Sequence, residues 1–113
     1  MTKTAVTQAP RLRTKPSEVV INRNFWCRLT HIDADGRVDA LGAYLRAGGV
    51  PDEELLEAAH LPPWSMWAKE VCKVNDMPDG TVREERLTTL FRMKGITLRF
   101  VGVAGSQSVR GAA

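Results

Sequence analysis

Aromatic residues are scarce in this chain: three Trp, three Phe and one Tyr among 113 residues. Each ring is therefore either a core element or an anchor for a partner. Cysteine is scarcer still. Two thiols, Cys27 and Cys72, are too few for the disulfide scaffold usual in secreted domains of this size. Both sit in apolar stretches, Phe25-Trp26-Cys27 and Val71-Cys72, where reduced, buried packing thiols are expected. No apolar run approaches the ~18–20 residues that span a bilayer. Residues 1–16 carry basic groups but no apolar h-region, so no secretory signal is expected and the cytoplasm is the expected location. A phosphate-binding glycine loop is also missing, since Gly102-Val103-Ala104-Gly105 leads into a tail rather than a helix. No nucleophile elbow occurs. Catalysis is not expected, nor is a cofactor.

What is present is enough apolar material, 43% of residues, to form one hydrophobic core, and a length that suits one domain. The charge is uneven. Residues 1–32 carry Lys3, Arg11, Arg13, Lys15, Arg23 and Arg28 against Glu18 alone, whereas residues 33–57 carry seven acids against Arg37 and Arg46. The remainder is basic again. A basic arm can follow a phosphate backbone through counterion release, or it can serve as a solubilising tail.

Residues 1–17 lack apolar periodicity and contain Pro10 and Pro16, which predicts a flexible basic arm. Residues 105–113 are small and polar and predict a flexible tail. The single globular domain then covers residues 18–104. Within it, residues 19–32 read as extended, with β-branched Val19-Val20-Ile21 followed by a Phe25/Cys27/Leu29 face. Asp33-Ala34-Asp35-Gly36 reads as a turn. Val38, Leu41 and Leu45 at helical spacing predict a helix closed by Gly48-Gly49. Pro51 and three acids start a second helix, and Pro62-Pro63 seeds a third that carries Trp64, Trp67, Ala68 and Val71 on one stripe. Residues 81–93 fit a helix by Leu87, Leu90 and Phe91, and a strand by the alternation Leu87/Thr89/Phe91/Met93. Residues 96–103 alternate as a strand, and Lys94-Gly95 would turn a hairpin if the preceding segment is extended. The expected class is α+β: an N-terminal strand, a central three-helix segment, and a C-terminal strand or hairpin.

Four constellations carry possible chemistry. In the segment Glu53 to Trp67, an acid-started helix reaches a tight corner, and Leu55, Ala59, Leu61 and Met66 occupy apolar positions. This pattern resembles the helix-turn-helix of DNA-binding proteins. The resemblance implies that Leu55, Ala59 and Met66 are buried, that Leu61 plugs the turn, and that the helix after Pro63 faces the major groove. A hairpin over residues 86–103 would make the unit winged. The pattern departs at His60, where glycine is usual, and at Pro62-Pro63, which replaces the small polar cap.

The second constellation is Trp64 and Trp67, three apart on one helical face and flanking Met66. They are either core or an exposed protein-binding anchor. The third is Cys27, His31, His60 and Cys72, a zinc-compatible donor set. In an extended strand, however, Cys27 and His31 stand ~13 Å apart, so no shared ion is expected and the metal expectation is none. The fourth, Asp33 to Asp39, resembles the start of a calcium loop but places Gly42 where the bidentate glutamate belongs. A polar turn is the simpler reading.

The expected function is that of a small non-catalytic regulatory binding protein. One reading is nucleic-acid association through a degenerate helix-turn-helix, with Trp64, Ser65 and Lys69 on the groove and Arg11, Arg13 and Lys15 on phosphates. The alternative is a protein-interaction module, an inhibitor or accessory subunit, anchored by Trp64, Met66 and Trp67. Partners are then nucleic acid or another protein, not a membrane.

Overall fold

Alternating exposure marks the first strand. In β1 (Glu18–Asn22) Val19 and Ile21 are buried while Glu18, Val20 and Asn22 face outward. The computed structural model describes residues 10–58, 63–103 and 109–110 of the chain. β1 ends because the Asn22 side chain turns it: Asn22 Oδ1 accepts the Asn24 N–H at 2.8 Å, and the Phe25 N–H donates to the Asn22 carbonyl at 3.1 Å. The expected single strand over residues 19–32 is therefore corrected to β1, a turn, and the two-residue β2 (Trp26–Cys27). The expected inward face fails with it. Trp26 and Cys27 are both buried, whereas Phe25 and Leu29 are exposed and Leu29 takes φ 66°. Residues 28–32 fold back instead of extending.

The turn at residues 33–36 forms as expected. Asp33 Oδ1 accepts the N–H groups of Asp35 and Arg37, each at 2.9 Å, and Gly36 supplies φ 83°. Asp39 then caps α1 (Ala40–Ala47). Its closing residues are Gly48 and Gly49, the latter at φ 91°. α2 (Asp52–Ala58) begins with the acids that favour a helix N-terminus, and α3 (Met66–Asn75) follows. Residues 81–92, which fitted either type, form α4 (Thr81–Arg92). The helix wins because Arg83, Leu87 and Phe91 recur every four residues and bury together. β3 (Thr97–Val101) leaves α4 through the Gly95 turn.

No hairpin results, and the winged arrangement is corrected accordingly. β3 runs parallel to β1, pairing Val19 with Leu98 and Ile21 with Phe100, so the four helices form the connection between two neighbouring strands. The short β4 (Val109–Arg110) runs parallel to β2. The class is α+β, as expected.

Two cores hold these elements. The main core joins β1 and β3 (Val19, Ile21, Leu98) to α1, α3 and α4 (Leu41, Val71, Leu87, Phe91). A smaller one gathers Ile32, Leu45, Val50 and Leu55, with Leu12 against it. The segment bearing Leu12 is tied to the end of α1, since the Arg13 and Thr14 N–H groups donate to the Gly48 carbonyl at 2.8 and 3.0 Å. Among the described residues no helix is long and apolar enough to cross a membrane.

Candidate functional site

The surface singled out by the sequence lies at the start of α3. Ser65 takes extended backbone angles and its side chain accepts the Ala68 N–H at 3.1 Å. It is a helix cap, its hydroxyl oxygen accepting from the backbone while the residue itself is exposed. Trp67, one turn in, points inward. Its Nε1–H donates to the Leu90 carbonyl at 2.7 Å, and its ring meets Tyr44 and Phe91 edge-on at centroid distances of 5.1 and 5.3 Å. Trp67 is thus part of the packing between α1, α3 and α4. The two neighbours expected beside it stay outside: Trp64 is 42% exposed and Met66 77% exposed.

Met66 was placed at a buried position by the helix-turn-helix resemblance, and its exposure corrects that expectation. The packing corrects it further. Leu55 of α2 belongs to the small core, while α3 packs on α4 and α1 in the main core. Among the described residues α2 and α3 thus contribute to different cores, a departure from the shared core of the motif's two helices. Ala59, His60, Leu61 and Pro62 lie outside the described residues.

The arm residues divide. Arg13 forms an ion pair with Glu54 of α2 and donates to the Arg11 carbonyl at 3.0 Å, so Arg11 and Arg13 sit by the acidic second helix. Lys15 goes elsewhere. Its Nζ lies 3.9 Å from where a Cβ on Gly95 would stand. Beside it, Lys94 Nζ lies 5.3 Å from the Trp67 ring centroid. Lys15 and Lys94 therefore meet at the C-terminal end of α4, beside Trp67 at the start of α3, while Lys69, two residues after Trp67, faces another side of α3. Lys94 escaped the sequence reading because Lys94-Gly95 fitted a hairpin turn; basic residues just after a helix C-terminus were the available signal. Met93, also exposed, adds apolar surface there. From Leu90 an open groove of about 350 Å³ continues along the two helices, lined by Glu70, Val74, Glu85, Arg86 and Thr89.

The electrostatics of this end follow from where the acids went. Asp35 pairs with Arg37, Asp52 with Arg46, Glu84 with Arg23, and Glu18 with Arg99. Among the described residues Lys15, Lys69 and Lys94 have no carboxylate partner. The expected calcium-like segment is accounted for by the same pairing, since Asp33 caps its own turn and Asp35 holds Arg37.

The thiols and imidazole are placed differently from the strand-based expectation. Cys27 is buried, and its Sγ–H faces the carbonyls of Thr30 and Arg37 at 3.3 and 3.2 Å. Burial, followed by the charges of Asp39 and Asp33, pushes this thiol up to about 12. His31 turns inward to meet Asp39, with Nδ1 and Oδ2 3.2 Å apart. Burial pulls the imidazole down, but the hydrogen bond and charge of Asp39, with Asp76 behind, hold it above its ordinary value. Cys72 approaches this pair, and burial pushes its thiol up to about 12 as well. A thiol so protonated is a poor nucleophile.

No family model, curated protein or solved structure matches this chain.

Proposed function

We propose that this chain is a small non-catalytic regulatory binding protein that holds nucleic acid on the open end of the α3–α4 pair. The observation that carries the reading is the convergence of Lys15 and Lys94, which lack carboxylate partners, on the end that exposes Trp64. The two neighbouring ammonium groups of Lys15 and Lys94 suit adjacent phosphates. An indole 42% exposed offers a face on which an unpaired base stacks. Single-stranded segments are favoured over duplex, because an exposed indole suits an unpaired base and because α2 and α3 contribute to different cores, unlike a helix pair that reads a major groove.

The test is fluorescence anisotropy of labelled single-stranded and duplex oligonucleotides across a salt series. The expected result is tighter binding of the single strand, with log K falling against log salt at a slope of about −1.4 for two phosphates. Lys15→Glu and Lys94→Glu each weaken binding and flatten the slope. Absence of single-strand binding at low salt overturns the proposal. A second reading, a protein partner anchored on Trp64 and Met66, draws support from the 77% exposure of Met66. It predicts capture that persists at high salt and fails in Trp64→Ala.

A further inference from the structure

His31, Asp39 and Cys72 reach one another from separate elements, and each is held there by its own constraint. Asp39 is the N-cap of α1: Oδ1 accepts the Gly42 N–H at 2.6 Å, which leaves Oδ2 for His31 Nδ1 at 3.2 Å. His31 is pressed against the first turn of α1, where its carbonyl accepts the Asp39 N–H at 3.2 Å. Only glycine at position 42 allows that approach, because a Cβ there would stand 2.1 Å from the His31 oxygen. Cys72 comes from the inner side of α3. One ligand atom from each of the three residues lies within 4.8 Å of the other two. His31 and Asp39 are 6% and 3% exposed, while Cys72 is only partly buried and offers a way in from solvent. Cys27 directs its sulfur at two carbonyls. Cys72 has no such hydrogen bond among the described residues.

We infer that this cluster is a binding site for one divalent transition-metal ion of borderline softness, such as zinc. Nitrogen, carboxylate oxygen and thiolate together form a donor set that zinc takes in four-coordinate sites, with the fourth position left to water. Bond lengths of ~2.0–2.1 Å to nitrogen and oxygen and ~2.3 Å to sulfur give tetrahedral edges of about 3.3 Å between N and O and about 3.6 Å between N and S. The His31–Asp39 separation of 3.2 Å already matches the first edge. With its sulfur within 4.8 Å of both other donors, Cys72 closes the second by a movement of up to about 1.2 Å. On binding, the Cys72 S–H proton passes to solvent as the metal–sulfur bond forms. The Nδ1 proton that bridges to Asp39 is displaced as the metal–nitrogen bond forms, to solvent from the imidazolium or to Nε2 from the neutral ring through solvent exchange, so the bound imidazole keeps one N–H, at Nε2. This site is independent of the proposed nucleic-acid surface.

Cobalt(II) is the probe, titrated into the full metal-free chain under reducing conditions. The expected result is a sulfur-to-cobalt charge-transfer absorption that saturates at one equivalent and is lost when zinc is added. Cys72→Ser abolishes the band and Cys27→Ala keeps it. Asp39→Asn, which retains a capping side chain, weakens the titration. Zinc also slows alkylation of Cys72 in the unmutated chain, read by peptide mass, which decides the matter even if Cys72→Ser fails to fold. The inference is overturned by absence of the band in the unmutated chain, by its persistence in Cys72→Ser, or by Cys72 alkylation that zinc leaves unchanged.

Discussion

Arg83 is a buried charge that no carboxylate among the described residues pairs with. It is 2% exposed, yet its Nε and one terminal nitrogen each donate at 2.9 Å to Asn75, to the backbone carbonyl and to Oδ1. Its guanidinium carbon lies 3.7 Å from the Trp26 ring centroid, so the indole face supplies the rest of its solvation. Burial pulls it down to about 10, which still leaves it charged at neutral pH. Asn75 in turn accepts the Ala40 N–H at 2.9 Å and donates to the Cys27 carbonyl at 3.1 Å, joining α1, α3, α4 and β2. Replacing Arg83 by alanine removes a desolvated cation–π contact and leaves Asn75 underpaired, an expected loss of about 3 kcal/mol in denaturant unfolding. Cys27 gives a pH signature. Its pKa is raised from 9.0 to about 12, so the folded state keeps a proton that the unfolded state releases. Stability from this group is complete below pH 9 and falls as pH rises from there. The slope is about 1.4 kcal/mol per pH unit while only the unfolded thiol ionises. Cys27→Ala, followed by thermal unfolding between pH 8 and 10, removes that part of the slope.

At the scale of elements, α3 separates two roles that its sequence mixes. Ser65 caps, Trp67 packs, and Met66 and Lys69 face out. Ser65→Ala is expected to cost about 1 kcal/mol of stability while leaving oligonucleotide affinity unchanged. A loss of affinity in the folded variant would return the hydroxyl to the interface. Trp67→Ala is expected to cost about 4 kcal/mol, as a large ring leaves the contact between α1 and α4. Trp64→Ala, by contrast, changes stability by under about 1 kcal/mol and is read in the binding assay. The start of α1 is equally constrained. Gly42→Ala drives a methyl into the His31 carbonyl, and a loss of about 2–4 kcal/mol is expected from the forced separation. Equal unfolding midpoints for Gly42→Ala and the unmutated chain would show that the loop can retreat freely.

For the whole molecule, the parallel pairing of β1 with β3 sets which surfaces meet. It brings residue 18 opposite residue 97, with the Thr97 N–H donating to the Ser17 carbonyl at 2.9 Å. That contact carries Lys15 to the Gly95 turn and away from the acidic α2. The uneven charge along the sequence is redistributed in space: three of the acids of residues 33–57, Asp35, Asp52 and Glu54, pair with Arg37, Arg46 and Arg13, while Lys15 and Lys94 meet at the Gly95 turn.

The sequence alone determined three helices after the turn at residues 33–36, one closed by Gly48-Gly49, one begun at Pro51 and one following Pro62-Pro63, and the α+β class, because periodicity, caps and glycines act over a few residues; it placed Trp64 inside the third helix, which begins at Met66. It left residues 81–92 open, since Leu87 and Phe91 serve a strand face or a helix stripe equally well until Arg83 finds Asn75 and Trp26. Tertiary structure decided the parallel sheet, the inward turn of Trp67 and the meeting of His31, Asp39 and Cys72. Each is a contact between residues distant along the chain, fixed by which apolar faces bury together rather than by local preference.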